Sequence, residues 1–195
     1  TPPKLSAVDP IEALEDTVLL MAAQLMRQQV EVVRIYSPAL PQVKADASQL
    51  KQVFLNLLLN SSEAMDGPGE IQLRSFVVSS ASSQQVETLP PPFSKKGSEG
   101  EASLIEGMVG ISISDTGCGI ADENLQKIFD PFFTTKEGGT GLGLATCKRI
   151  IDSFNGKIEV QNNKEGKGVT VTVYLPIYPE EKGFGQLPRP EGRGL

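Results

Sequence analysis

The stretch SQLKQVFLNLLLNSSEAM, residues 48–65, predicts a helix with one apolar side and one amide-bearing side. At roughly 100° per residue, its polar side chains fall within about 40° of one line. These polar side chains are Gln49, Gln52, Asn56, Asn60 and Glu63. The opposite, apolar stripe comprises Leu50, Val53, Phe54, Leu57, Leu58, Ala64 and Met65. We therefore expect a helix that is buried on one side and ends at the breaker over 66–69.

The two asparagines on the polar side are the most informative residues of this helix. Asn56 and Asn60 are four residues apart, so their side chains lie one turn apart and can share one ligand. An amide oxygen is a hard, neutral ligand that suits a Mg²⁺ ion already holding phosphate oxygens. Leu55 and Leu57 flank Asn56, and Leu59 precedes Asn60, which makes full solvation difficult and calls for a hydrogen-bond partner. Taken alone, the same row also fits an ordinary solvated helix face.

Other segments surround this helix with alternating helices and strands. A helix is expected over 11–28 after the N-cap Asp9, and another over 140–154 after a run of glycines. Strands are expected at 30–36, 70–78, around Val109 to Ile113, at 157–161 and at 169–175, the last two forming a hairpin. We predict an α+β fold, a two-layer α/β sandwich whose mixed, mostly antiparallel sheet carries helices on one face.

The domain organisation is expected to be simple. Residues 79–107 hold seven Ser, three Gly and three consecutive Pro, which predicts a flexible insertion between two strands. Residues 179–195 hold three Pro and four Gly and are predicted to form a disordered tail. The remainder, within 1–178, is expected to form one domain.

The composition excludes several classes of function. The 195 residues carry a formal net charge of −6, which argues against nucleic-acid binding and against contact with an anionic membrane. We find no signal peptide and no apolar run long enough for a membrane span, so a cytoplasmic segment is expected. The sequence contains no histidine, which removes Ser-His-Asp and Cys-His nucleophiles and His-ligated metals. The chemistry must therefore use carboxylates, amides, backbone groups and an oxygen-liganded metal.

Two glycine-rich segments follow predicted strands or open predicted helices. Asp115-Thr116-Gly117-Cys118-Gly119 follows a buried strand; its carboxylate can accept a hydrogen bond from an exocyclic amine, although this pattern is also a common turn. Gly138 to Leu144 reads GGTGLGL and opens a helix, where backbone amides and the helix dipole favour phosphate. The second segment has neither the Walker A spacing nor the Rossmann fingerprint.

In this order and spacing, four segments resemble the ATP-binding catalytic domain of bacterial sensor histidine kinases. That domain belongs to the gyrase, heat-shock chaperone, histidine kinase and mismatch-repair ATPase superfamily with the Bergerat-type fold. Residues 52–60 resemble its N box, 115–120 its first glycine box, 129–136 its F box and 139–144 its second glycine box. The F box followed by GTGLGL is similar to nitrogen-regulation-type kinases. The resemblance covers residues 9–177.

The resemblance implies a role for each matching residue. Asp115 binds the adenine amine, while Gly117 and Gly119 shape the base pocket. Asn60 together with Asn56 holds Mg²⁺, and both are the candidate catalytic residues. Residues 120–139 form the ATP lid, from which Lys136 is a candidate phosphate contact, with a solvated charge as the alternative. The remaining candidate nucleotide contacts are Ile120, Thr140, Gly141, Leu142, Gly143, Leu144 and Thr170.

Two further points concern the lid and the N box. Phe129, Phe132 and Phe133 are predicted to anchor the lid by packing rather than to contact the ligand. Some members of the family have a lysine three residues after the second asparagine, where this sequence has Glu63. A phosphate contact from that position is therefore in doubt.

One position separates two functions within the superfamily. The branches that hydrolyse ATP resemble Glu-x-x-x-Asn, with the glutamate as the general base for water, whereas here the residue is Asn56. General-base assistance is typically worth about 10²–10⁴-fold in rate, so an amide favours phosphoryl transfer over hydrolysis. We expect a protein-histidine kinase domain that donates the γ-phosphoryl of ATP to a histidine outside this sequence. The alternatives are an ATP-gated conformational ATPase module and a degenerate nucleotide-binding scaffold.

The resemblance also implies partners. They are the protein's own histidine-bearing dimerisation segment, within a homodimer, and the receiver domain of a response regulator. The intact protein is expected in the cytoplasm, where attachment to the inner membrane through a preceding segment is an open alternative.

Overall fold

The computed structural model describes residues 2–78, 107–136, 138–164 and 167–179. These residues form one five-stranded sheet, a two-stranded ribbon and three helices. The helices are α1 (Pro10–Arg27), α2 (Ala47–Glu63) and α3 (Gly143–Ser153). The strands are β1 (Ser6–Val8), β2 (Val30–Ile35), β3 (Val43–Ala45), β4 (Gly69–Val78), β5 (Met108–Asp115), β6 (Lys157–Asn162) and β7 (Val169–Pro176).

The sheet is mixed and mostly antiparallel, as predicted. Its strand order is β2-β4-β5-β7-β6, and only β2 and β4 run parallel. The register pairs Ile71 with Asp115 and Leu73 with Ile113, so these four side chains lie on one face. The helices pack on that face, and the hydrophobic core lies between the two layers. The predicted α/β sandwich is therefore confirmed.

Helix α2 lies at the centre of the helical layer, between α1 and α3. Its apolar stripe is buried as the periodicity predicted, with Leu50, Val53, Phe54 and Leu58 fully inaccessible to solvent. Its N-terminus is capped by Asp46, whose carboxylate accepts hydrogen bonds from the backbone N–H of Ser48 at 3.0 Å. Burial of one side leaves the amide-bearing side free to face the neighbouring elements.

The sequence predicted most of these elements to within one to three residues of their observed ends. It missed β1 and β3, because three-residue strands carry too little pattern to be distinguished from loop. Within 120–139, residues 122–129 form consecutive turns closed by hydrogen bonds such as Ile128 N to Asn124 O, and the described part of this segment contains no regular helix. The predicted insertion over 79–107, apart from its last residue, and the predicted tail over 179–195, apart from its first residue, lie outside the described residues.

None of the three helices in the described part of the chain is both long and apolar enough to cross a membrane.

Candidate nucleotide site

Asp115 ends β5 and points into the interface between the sheet and the helices, where it is 4% exposed. Its Oδ1 accepts hydrogen bonds from the backbone N–H of Gly117 at 2.9 Å and of Val169 at 3.2 Å. These bonds satisfy the carboxylate in part and fix its orientation. A buried, oriented carboxylate at a strand end is well suited to accept a hydrogen bond from a ligand amine.

The electrostatic balance at Asp115 favours a higher pKa than usual. Burial is the largest cause and raises the pKa of this carboxyl, because a charged group loses its hydration. Hydrogen bonds from Gly117, Ser61 and Val169 and the positive charge of Lys136 oppose the shift but do not cancel it. The carboxylate is therefore costly to keep ionised and gains from any additional donor.

Close backbone contacts shape the loop that follows Asp115. A Cβ on Gly117 would lie 2.7 Å from both the Cβ and the carbonyl oxygen of Ala64, so only glycine fits there. The N–H of Cys118 donates to that same carbonyl of Ala64 at 3.0 Å. Gly119 has a φ of +79°, which side-chain-bearing residues rarely adopt. The loop after β5 is thus tied directly to the end of α2.

The structure adds residues that the sequence analysis did not single out. Asn162 accepts a hydrogen bond from Ile120 N at 2.8 Å and donates back to Ile120 O at 2.6 Å, which holds the start of the lid. Asn163 donates to the backbone oxygen of Asp115 at 2.8 Å. A Cβ on Gly168 would overlap that same oxygen. The signal for them was the cluster of Asn and Gly in the β6–β7 hairpin, which sequence reasoning read only as a turn.

The two asparagines of α2 face the N-terminal turn of α3. Asn56 Nδ2 donates to the carbonyl oxygen of Gly143 at 3.5 Å. A Cβ on Gly143 would lie 4.0 Å from Asn60 Nδ2, in ordinary contact. The predicted partner of Asn56 is therefore backbone of α3. The N box and the second glycine box lie side by side, as the candidate site requires.

The polar side of α2 divides into two parts. Asn56, Asn60 and Glu63 lie near the glycine box and the lid. Gln49 and Gln52, nearer the start of α2, instead line a separate groove with Pro3, Arg149, Ile150 and Ser153. The shared helical face thus serves two different places on the surface.

Lys136 brings the lid to α2. Its ammonium lies 2.7 Å from Oε2 of Glu63 and 3.5 Å from Oδ1 of Asn60. Both side chains of the ion pair are partly solvated, 41% exposed for Lys136 and 51% for Glu63. A cation therefore already lies against the amide oxygen that the sequence assigns to a metal.

The N-terminal turn of α3 has no side-chain cap. Leu142 occupies the N-cap position and makes no capping hydrogen bond, which leaves the first amides of α3 as the donors expected for phosphate. Gly141, with φ of +65°, accepts a hydrogen bond through its carbonyl from Phe132 N at 3.0 Å. Leu144 packs partly against the core, while Thr140 is exposed beside the lid.

Two expectations for this region do not match the placement of the side chains. Phe129 packs against the core as predicted, but Phe132 is 75% exposed, so its prediction as a packing anchor is wrong. Thr170 pairs with Ser114, which places both on the sheet face opposite Asp115. Thr170 donates to Ser114 Oγ at 2.9 Å and to Asn163 Oδ1 at 2.7 Å. The structure does not bring Thr170 together with the other candidate residues.

The fold and the arrangement of the four segments define a class of protein. The catalytic domain of the histidine kinase ThkA has the same architecture, with a TM-score of 0.69 and 27% identity, over 89% of this chain and 96% of that chain. Residues 45–179 match the family of histidine kinase-, DNA gyrase B- and HSP90-like ATPases. The chain therefore belongs to this family, and its fold is that of a histidine kinase catalytic domain.

Curated relatives support the same placement. The chain is 36% identical to the signal transduction histidine-protein kinase AtoS of Escherichia coli K12, over 86% of this chain and 23% of AtoS. It is 38% identical to the sensory histidine kinase/phosphatase NtrB of Rhodobacter capsulatus, over 77% of this chain and 38% of NtrB. The similarity of the lid to nitrogen-regulation-type kinases is consistent with the second match. The chain spans 23–33% of the length of the first three relatives that it matches.

Proposed function

We propose that this domain binds Mg-ATP and donates its γ-phosphoryl to a histidine on a separate dimerisation segment. The observation that carries the proposal is the convergence of Asp115, the asparagines of α2 and the uncapped N-terminus of α3 on one side of the molecule. The 195 residues contain no histidine, so the acceptor lies outside them. The domain's contribution is to position the triphosphate and to stabilise its charge, which is most of what phosphoryl transfer requires of a protein.

The adenine end of the site rests on Asp115. Because its carboxylate is buried and already accepts two backbone N–H groups, it keeps a fixed direction when a ligand arrives. A further donor, the exocyclic amine of adenine, would relieve part of the cost of burying the charge. Gly117 lets the loop after Asp115 lie directly against Ala64, and Gly119 adopts the positive φ of this loop.

The phosphate end combines helix amides, a metal-binding amide and a lysine. Gly141 and Gly143 flank the N-terminus of α3, where the dipole favours anions. Asn60, with Asn56, would hold Mg²⁺, and the ammonium of Lys136 3.5 Å from Asn60 Oδ1 supports a cation at this position. When bound, the metal would neutralise the charge that develops on the phosphates. Lys136 would exchange Glu63 for a phosphate oxygen.

Asn56 favours transfer to a protein acceptor over hydrolysis. Its amide donates to the backbone oxygen of Gly143, so its side chain is engaged in holding α2 against α3. A neutral amide is too weak a base to accept a proton from water. We infer that the bound nucleotide is protected from hydrolysis until a histidine is presented.

The proposed kinase function also implies two protein partners. The histidine-bearing segment would belong to the protein's own homodimer, and the phosphoryl group would pass on to a response regulator receiver domain. ThkA has been solved in complex with the response regulator protein TrrA. The acidic balance of the sequence fits neither nucleic acid nor an anionic membrane as a partner. We place the activity in the cytoplasm.

Calorimetric titration of Mg-ADP into the chain tests the proposal. We expect saturable binding that is strongly weakened when Asp115→Asn is titrated under the same conditions. A parallel assay of phosphate release from Mg-ATP should show turnover far below about one per second, the lower end of ordinary enzyme rates. Binding by neither protein would contradict the nucleotide function, and steady release near that rate would favour the conformational ATPase.

A further inference from the structure

Glu63 is an acidic side chain beside the candidate metal position. It follows Asn60 by three residues on α2, so the two side chains lie on the same helical face. Lys136 joins them, with its ammonium 2.7 Å from the carboxylate of Glu63 and 3.5 Å from the amide oxygen of Asn60. The three groups form one cluster in which a positive charge lies between a carboxylate and an amide.

The charge of Glu63 bears directly on the phosphates. A nucleotide without a metal would bring several negative charges next to this carboxylate and would have to draw Lys136 away from it. Both effects oppose binding, since like charges repel and an existing ion pair has to be broken. A nucleotide carrying Mg²⁺ brings a cation to the same cluster, so the carboxylate then faces a positive charge.

We propose that Glu63 is a specificity-determining residue that makes this site select the magnesium complex over the metal-free nucleotide. The inference rests on the proposed nucleotide function and deepens it. Glu63 touches no reacting atom. Its carboxylate repels the phosphates of a nucleotide that carries no metal. It also keeps Lys136 in an ion pair until the magnesium complex of the nucleotide binds.

The size of the effect is limited by solvent. The pair is about half exposed, and interactions between such charges are strongly screened. We therefore expect a selectivity factor of about 3- to 10-fold rather than an absolute requirement. That is large enough to measure as a ratio of two dissociation constants.

The experiment compares Kd for ADP with Mg²⁺ and with excess EDTA, at constant ionic strength, by calorimetry. It uses the unmodified chain, Glu63→Gln, Glu63→Lys and the control Glu12→Gln. Glu12 is an exposed glutamate in the first turn of α1, so the control removes the same charge away from the cluster.

We expect the ratio of metal-free to Mg²⁺ Kd to fall about 3- to 10-fold in Glu63→Gln, to fall further in Glu63→Lys and to stay constant in Glu12→Gln. An unchanged ratio in both Glu63 variants would overturn the inference while leaving the proposed function intact. So would an equal loss of affinity in both conditions, which would assign Glu63 to lid positioning alone. Absence of Mg-ADP binding by the unmodified chain would overturn the proposed function itself, and this inference with it.

Discussion

The two ends of the candidate site are built in opposite ways. The base end surrounds Asp115 with fixed backbone donors and glycines that admit no side chain, and the carboxylate is 4% exposed. The phosphate end relies on long, solvated side chains, with Lys136 and Glu63 each about half exposed. In the proposed function, recognition of the base would therefore be preorganised, whereas the phosphate contacts would adjust when the ligand binds.

The largest effect is expected from a substitution that disturbs the backbone of the base end, because this tests directly whether that end is the more rigid one. Gly168→Ala should lower the free energy of unfolding by about 3–5 kcal/mol, because φ is +106° and the new Cβ would overlap the carbonyl of Asp115. Gly67→Ala is the matched control, since φ is +113° and nothing lies within 4 Å of its Cβ. It should cost about 1–2 kcal/mol. Urea unfolding measures both, and equal losses would contradict a tightly packed base end.

The next largest effect concerns the ionisation of Asp115 and its contribution to nucleotide affinity at the base end. Asp115→Asn should weaken ADP binding by about 1.5–3 kcal/mol, the value of a hydrogen bond to a charged group. For the unmodified chain, affinity should fall as the pH is lowered through the raised pKa of Asp115, because protonation removes that charge. Titrations at several pH values with the variant as the control separate this effect from titration of the nucleotide. A parallel pH profile in Asp115→Asn would rule it out.

The same raised pKa has a consequence for stability. The folded chain binds this proton more tightly than the unfolded chain does, so the contribution of Asp115 is full below the ordinary aspartate pKa. It is lost as the pH rises through the raised pKa. Asp115→Asn should therefore be no less stable than the unmodified chain near neutral pH, although it binds nucleotide more weakly. Urea unfolding at neutral pH would show this separation of stability from function.

A smaller loss of nucleotide affinity is expected when the candidate metal ligand Asn60 is removed. Asn60→Ala should weaken Mg-ATP binding about 10-fold, equivalent to about 1.4 kcal/mol, and should affect metal-free ADP less. Gln49→Ala, on the same helical face but in the separate groove, serves as the control and should change neither. Equal losses of both ligands in Asn60→Ala would indicate a structural role for Asn60.

The smallest effect should come from the lid lysine. Lys136→Met should change the free energy of unfolding by no more than about 1 kcal/mol, because its ion pair with Glu63 is exposed. The affinity for Mg-ATP should nevertheless fall, since a phosphate contact is lost. If the melting temperature dropped as far as in Gly168→Ala, the phosphate end would be as rigid as the base end.

The sequence was sufficient for the fold and for the residues that lie on regular elements. The periodicity of α2 placed Asn56 and Asn60 on one side, and the alternation in β5 placed Asp115 at its end. It was insufficient where placement depends on strand register or tertiary contacts. Thr170 is one residue from Val169, whose N–H reaches Asp115, yet its own side chain points to the other face. Asn162 and Gly168 take part through backbone contacts between distant segments, which no local pattern records.

The hydrogen bond between Cys118 N and Ala64 O fixes the loop after β5 to the end of α2. Ala64 is four residues after Asn60, a distance of about 6 Å along the helix axis. In the proposed function, the loop at one end of this turn would bind the base, and Asn60 at the other end would hold the metal. One turn of α2 would then set the distance between base and metal. A ligand whose base and phosphates are spaced differently would lose one of these two contacts, so the domain would select the length of its nucleotide as well as its chemistry.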